Sequence, residues 1–149
     1  MPVGPEEGAR PTRAELGPAG LVWVAVALAD KLDTIVGMFS AGERPTGSRD
    51  PFGLRRQAHG LFKILIDLPD LADVTVRPSI SELTVAAHEL FTAAGHSKEL
   101  PDAMQDFLIE RLQHVLQQRG YDIRNVKAVT KSLKSNAKPL DALRKLEVL

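Results

Sequence analysis

The sequence predicts an all-α protein, a short helical bundle. Apolar residues recur at three- and four-residue spacing, helix start and stop signals bracket those stretches, and no alternating strand pattern competes. With 149 residues, 44% of them hydrophobic and 26% charged, the chain falls in the window for one or two compact domains with a real core. It shows no repeat of solenoid period and no low-complexity tract.

Residues 1–20 are rich in Pro, Gly and Glu without apolar periodicity and read as an irregular lead-in. A first helix is expected over 21–40, ended by the Gly, Pro and Ser of 42–48. Its first half, 21–29, is apolar all round and reads as a buried segment, too short for the roughly 20 residues that span a bilayer. A second helix should begin at Asp50, which can cap free amides, with Pro51 at the first helical position and a buried stripe of Leu54, Ala58, Leu61 and Leu65.

After a loop with Pro69 and Pro78, Ser79 and Glu82 have the spacing of a capping box, and Gly95 ends the third helix. The fourth has the clearest period: Met104, Phe107, Leu108, Leu112, Val115 and Leu116, opened by Pro101 and closed by Gly120. Asp122 caps a fifth helix carrying Ile123, Val126, Val129 and Leu133, and Pro139 opens a sixth that runs to Leu149.

The formal charge is zero, with 19 basic and 19 acidic residues, so the chain lacks the strongly cationic balance of many nucleic-acid binders. The distribution is uneven. Residues 67–110 hold nine acidic and two basic residues, whereas 121–149 hold seven basic and three acidic. Absence of cysteine excludes disulfides, thiolate nucleophiles and Cys-based zinc sites, and agrees with a reducing cytoplasm, the expected location. Glu6, Glu7, Pro5 and Pro11 stand where a signal peptide needs a basic region and an apolar stretch, so secretion is not expected.

The histidines, His59, His88, His96 and His114, fall on three helices and a loop in no metal-ligand spacing. Residues 42–49 hold two glycines with four residues between them, as in a phosphate loop. Ser48 and Arg49 occupy the positions of its Lys and Ser or Thr, and no strand precedes it, which favours a plain interhelical loop. Asp30 and Asp33 project from nearly one helix face and could hold a cation or a partner's arginine, or be simply solvated. No Ser, Thr or Lys pairs with a base and oxyanion donor, so no catalytic residue is assigned.

Two basic stripes remain. Arg55, Arg56, His59 and Lys63 gather opposite the apolar stripe of the second helix, with Arg44 and Arg49 in the loop before it. An amphipathic helix exposes charge in any case, the ordinary reading of this face, but no acidic residue lies between Asp50 and Asp67, which is less usual than a mixed solvated face and would suit phosphate contact. Arg124, Lys127, Lys131, Lys134 and Lys138 recur at three and four residues opposite Ile123, Val126 and Val129, like a ridge tracking a nucleic-acid backbone. With only Tyr121 nearby to stack on a base, composition alone does not indicate base recognition.

ADKLDTIVG at 29–37, followed by GERPTGSRDPFGLRR at 42–56, resembles the β-subunit family of bacterial heterotetrameric glycyl-tRNA synthetase. The stretch ELPDAMQDFLIERLQHVLQQRGYDIRNVKAV, 99–129, is more loosely similar to that family's anticodon-binding region, and DALR at 141–144 matches the letters that name a helical anticodon-binding class. The resemblance implies a truncated HD-like helical segment at 21–67 and a helical anticodon-binding, DALR-like part at 68–149, at the C-terminal end of a β subunit several times longer. In HD-type phosphohydrolases the metal site needs a His, a His-Asp pair and a later Asp. Asp30 matches the last, Asp33 is its neighbour, and no His-Asp dipeptide occurs, so no metal site is expected here.

By this resemblance the partners are glycine tRNA, the catalytic α subunit and the remainder of the β subunit, with no membrane and no DNA. ATP and magnesium would be used by the full synthetase, and no cofactor is expected on this chain. The residues implied for tRNA contact are Arg44, Arg49, Arg55, Arg56, Lys63, Arg124, Lys127, Lys131 and Lys134. Two other readings stand beside it. One is a protein-interaction module docking the apolar 21–29 helix on the rest of the synthetase, and the other is a phosphohydrolase remnant using Asp30 and Asp33.

Overall fold

The computed structural model describes residues 12–74, 76–95, 99–131 and 137–149. Among them it contains helices and turns and no strand, as the periodicity predicts. The helices are α1 (Arg13–Leu16), α2 (Gly20–Ser40), α3 (Leu54–Ile66), α4 (Leu68–Leu71), α5 (Ile80–Ala93), α6 (Asp102–Gln118), α7 (Ile123–Lys131) and α8 (Pro139–Glu147). None is long and apolar enough to cross a membrane.

Helix α3 is the centre, packing on α2, α6 and α8. Its predicted stripe of Leu54, Ala58, Leu61 and Leu65 is buried, joined by Phe62, Ile64 and Ile66. All of these except Ile64 meet Leu32, Ile35, Val36 and Phe39 of α2, Met104, Leu108 and Leu112 of α6, Val126 of α7 and Leu146 of α8 in one core. The rings of Phe39 and Phe107 pack tilted, 5.2 Å between centroids. A second cluster joins Val24 of α2 to Ile64, Leu68, Leu71 and Ala72. Gly20 makes that approach possible, because a Cβ there would meet the Leu71 carbonyl oxygen at 2.5 Å.

Start signals work as read at α5. The Ser79 hydroxyl accepts from the Glu82 amide at 3.0 Å while the Glu82 carboxylate accepts from the Ser79 amide at 2.8 Å. The Ile80 amide also donates to the Ala137 carbonyl at 2.9 Å, and Arg77 pairs with Asp141 at 2.9 Å, fastening the entrance of α5 to that of α8. The ends of α5 and α6 carry Gly95 and Gly120 with φ of 93° and 97°.

Four expectations need correction. The apolar 21–29 segment is not buried all round: Val24 is, but Leu21, Val22 and Val26 are 55%, 65% and 64% exposed. Among the described residues α2 packs on α3, α4 and α5, and those packed faces leave these three side chains largely uncovered. The second long helix starts at Leu54 rather than at Asp50, because a 3₁₀ turn, Pro51–Gly53, intervenes with Phe52 and Gly53 at φ of 58° and 62°. Asp50 still caps it, its carboxylate accepting the Arg55 amide at 3.1 Å.

The lead-in is helical at its end, where Thr12 and Glu15 exchange hydrogen bonds of 2.8 and 3.3 Å at the head of α1. The expected loop after α3 begins with the helical turn α4, which Pro69 suits as an early helical residue.

Candidate nucleic-acid interface

The loop carrying Arg44 and Arg49 turns back on itself. The Thr46 amide donates to the Arg49 carbonyl at 2.9 Å and the Arg49 amide to the Thr46 carbonyl at 2.8 Å, with Gly47 left-handed between them. Both arginine side chains are exposed. The doubled bond turns the Thr46 and Arg49 amides onto the loop's own carbonyls. Among the described residues no three His, Asp or Glu side chains come together to hold a metal.

On α3, Arg55 is half-buried and Arg56 exposed, folding over Gly53. Lys63 is half-buried, and no carboxylate pairs with it among the described residues. Lys127 and Lys131 of α7 are exposed one helical turn apart, so their ammonium groups share a face. That face is fixed from beneath. The Thr130 hydroxyl donates to the Val126 carbonyl at 2.8 Å and accepts from Gln113 of α6 at 2.8 Å.

Arg124 extends the ridge but its guanidinium is engaged. Asp122 accepts its Nε at 3.2 Å and its amide at 2.7 Å, and these hydrogen bonds lower the Asp122 carboxyl and raise Arg124 from their usual ranges. Lys134, Leu133 and His96 lie outside the described residues.

Packing of α3 on α6 assembles a group that spacing did not reveal. His59 and His114, which read as scattered in the sequence, face each other edge-on with ring centroids 6.2 Å apart. Burial lowers the His59 pKa, and the positive charges of Lys63, His114, Arg111 and Arg119 lower it further. Arg111 is bonded to Glu110 at 2.7 Å and Arg119 to Asp67 at 2.8 and 2.9 Å. The Asp67 bond is the main reason the Arg119 pKa is raised. The sequence holds one trace of this group, Arg111 and His114 on α6 with Arg119 just after it, but which helix they face depends on tertiary packing.

Asp30 and Asp33 are both exposed. They edge a groove of about 640 Å³ between α2 and α5 whose floor is apolar, with Val26, Leu28, Leu83, Ala87 and Leu90. Leu90 is 71% exposed, and neighbouring Val85 is also open.

A sequence profile described as "Glycyl-tRNA synthetase beta subunit" matches residues 6–131. A protein of Aromatoleum aromaticum named "Glycine--tRNA ligase beta subunit" is 45% identical over 112 residues, 75% of this chain and 15% of that protein. Proteins of the same name from Janthinobacterium sp. (strain Marseille) and Moorella thermoacetica are 41% and 40% identical over 112 and 109 residues, again 15% of their length. The chain thus spans about 15% of the relatives it matches. No solved structure matches it.

Proposed function

Because the chain belongs to the glycyl-tRNA synthetase beta subunit family, we propose that it is a tRNA-binding portion of that subunit, supporting the ATP-dependent attachment of glycine to its tRNA by the alpha subunit. The observation that carries this reading is the α7 ridge, where Lys127 and Lys131 stand exposed without a carboxylate partner among the described residues and α6 holds the helix beneath them. Two ammonium groups on one rigid face replace counterions along a phosphate backbone, and the released ions favour binding. Arg44, Arg49, Arg55, Arg56 and Lys63 supply a second positive region on and before α3.

In this reading residues 21–67 are the HD-like part and 68–149 the anticodon-binding-like part. Glycine tRNA, the alpha subunit and the rest of the beta subunit are the partners, in the cytoplasm. In this reading ATP and magnesium are used by the full synthetase, and no cofactor is assigned to this chain. The test is filter binding of glycine tRNA and an unrelated tRNA at about 50 and about 200 mM salt. Affinity is expected to fall with salt, and the Lys127→Ala, Lys131→Ala double variant to bind more weakly with a slope smaller by about 1 to 2. Salt-independent or absent binding overturns the reading.

A second reading rests on the exposed apolar groove between α2 and α5. Apolar surface gathered in one place and left open on a chain that matches only part of its relatives favours docking on the remainder of the synthetase, with no RNA contact.

A further inference from the structure

The group of basic side chains at the α3 and α6 interface lies apart from the α7 ridge. Its members come from two helices, and packing alone unites them: His59 and Lys63 from α3, His114 and Arg111 from α6, and Arg119 just past the end of α6. Two carboxylates answer two of them, Glu110 on Arg111 and Asp67 on Arg119. His59, Lys63 and His114 have no hydrogen-bonding side chain among the described residues. With Arg111 and Arg119 answered by carboxylates, the ammonium of Lys63, one helical turn from His59 on α3, is left to attract an anion, and the imidazoles beside it can each donate an N–H.

We propose that His59, Lys63 and His114 form a binding site for a phosphate of the RNA backbone, with the Arg111–Glu110 and Arg119–Asp67 pairs fixing its walls. The inference rests on the tRNA-binding reading and adds a contact point to it. Two imidazoles edge-on at 6.2 Å, one from each helix, and the Lys63 ammonium one turn along α3 from His59 supply N–H donors from two helices. Such an arrangement suits the oxygens of one phosphate better than a flat peptide carboxylate. Both helices are held by the central core, so the donors stand ready without ordering a loop.

The experiment uses the whole chain and a glycine tRNA transcript, titrated at several salt concentrations against the unaltered protein, the Lys63→Met, His114→Gln double variant, and Lys145→Gln as a charge control on α8. Circular dichroism melts of all three are compared first, and a His114→Gln single variant replaces the double one if that melts early. The double variant is expected to bind about five- to tenfold more weakly, with a salt slope smaller by about 1, and the control to bind as the parent does. No binding by the unaltered chain sinks the RNA reading and this site with it. Binding with an unchanged affinity and slope in the variant sinks this site alone, as does an equal loss in Lys145→Gln, because total charge would then be responsible. Displacement of the tRNA by inorganic phosphate at matched ionic strength would assign the group to a free anion and overturn the backbone assignment.

Discussion

Asp67 and Arg119 form a two-pronged ion pair, Oδ1 to Nη1 at 2.9 Å and Oδ2 to Nη2 at 2.8 Å. It joins the C-terminal end of α3 to that of α6, 52 residues apart in sequence. The Asp67 side chain is 8% exposed and that of Arg119 32%, so the carboxylate depends on this guanidinium for charge compensation more than the reverse. Arg119→Met is expected to cost about 2 kcal/mol in urea unfolding, below the ~3–5 kcal/mol of a fully buried pair because water still reaches the guanidinium. Asp67→Asn should cost less than Arg119→Met, since it leaves the buried member neutral. The reverse order would mean that Asp67 is compensated elsewhere.

The cap at Ser79 is worth testing because it supports more than one helix end. Ser79→Ala removes the acceptor for the Glu82 amide in the turn whose next amide, Ile80, holds Ala137. A loss of ~1 to 2 kcal/mol is expected, at the upper end for N-caps. Ser79→Asp, which keeps an acceptor, should recover most of it. Equal losses for both would show that the cap contributes little.

Gly20 predicts a steric rather than a conformational effect. Its backbone is ordinary helix, so alanine would normally stabilise it, yet the added methyl would press on the Leu71 carbonyl. Gly20→Ala is expected to destabilise by about 1 to 3 kcal/mol as an overpacked contact does. A gain in melting temperature would mean that α4 yields.

Histidine protonation sets a pH dependence of stability. The folded His59 pKa lies below its ordinary 6.5 because of burial and then of Lys63, His114, Arg111 and Arg119. The unfolded chain therefore binds the proton more readily than the folded one. The neutral ring's contribution is complete above 6.5 and diminishes as pH falls through that value toward the folded pKa. Melting temperature is expected to drop on acidification from about pH 8 to about pH 5, and His59→Gln to make that drop shallower. An identical pH profile in the variant would refute the assignment.

The long helices were legible in the sequence because their apolar residues recur with the helical period and their caps are local chemistry. Ser79 with Gly95 and Pro101 with Gly120 both bracket helices close to where the sequence places them. What failed was non-local. Nothing near Phe52 announces a left-handed residue, so the sequence places the start of α3 too early. The exposure of Leu21 and Val22 depends on which stripe of α2 meets α3 and α4, and the meeting of His59 with His114 on how α3 lies against α6. For the site, the α7 ridge was readable along one helix, whereas the α3 and α6 group needed two.

The docking reading makes its own prediction at the groove. Val26 and Leu90 are 64% and 71% exposed, so they contribute little to this chain's stability. A Val26→Ser, Leu90→Ser double variant is expected to unfold within about 0.5 kcal/mol of the parent. Under that reading the variant loses affinity for the remainder of the beta subunit supplied as a separate chain, measured by calorimetry, while its tRNA affinity is unchanged. A large loss of stability would place these side chains inside this chain's own packing. Unchanged affinity for the remainder would leave the groove as ordinary exposed apolar surface and end the docking reading.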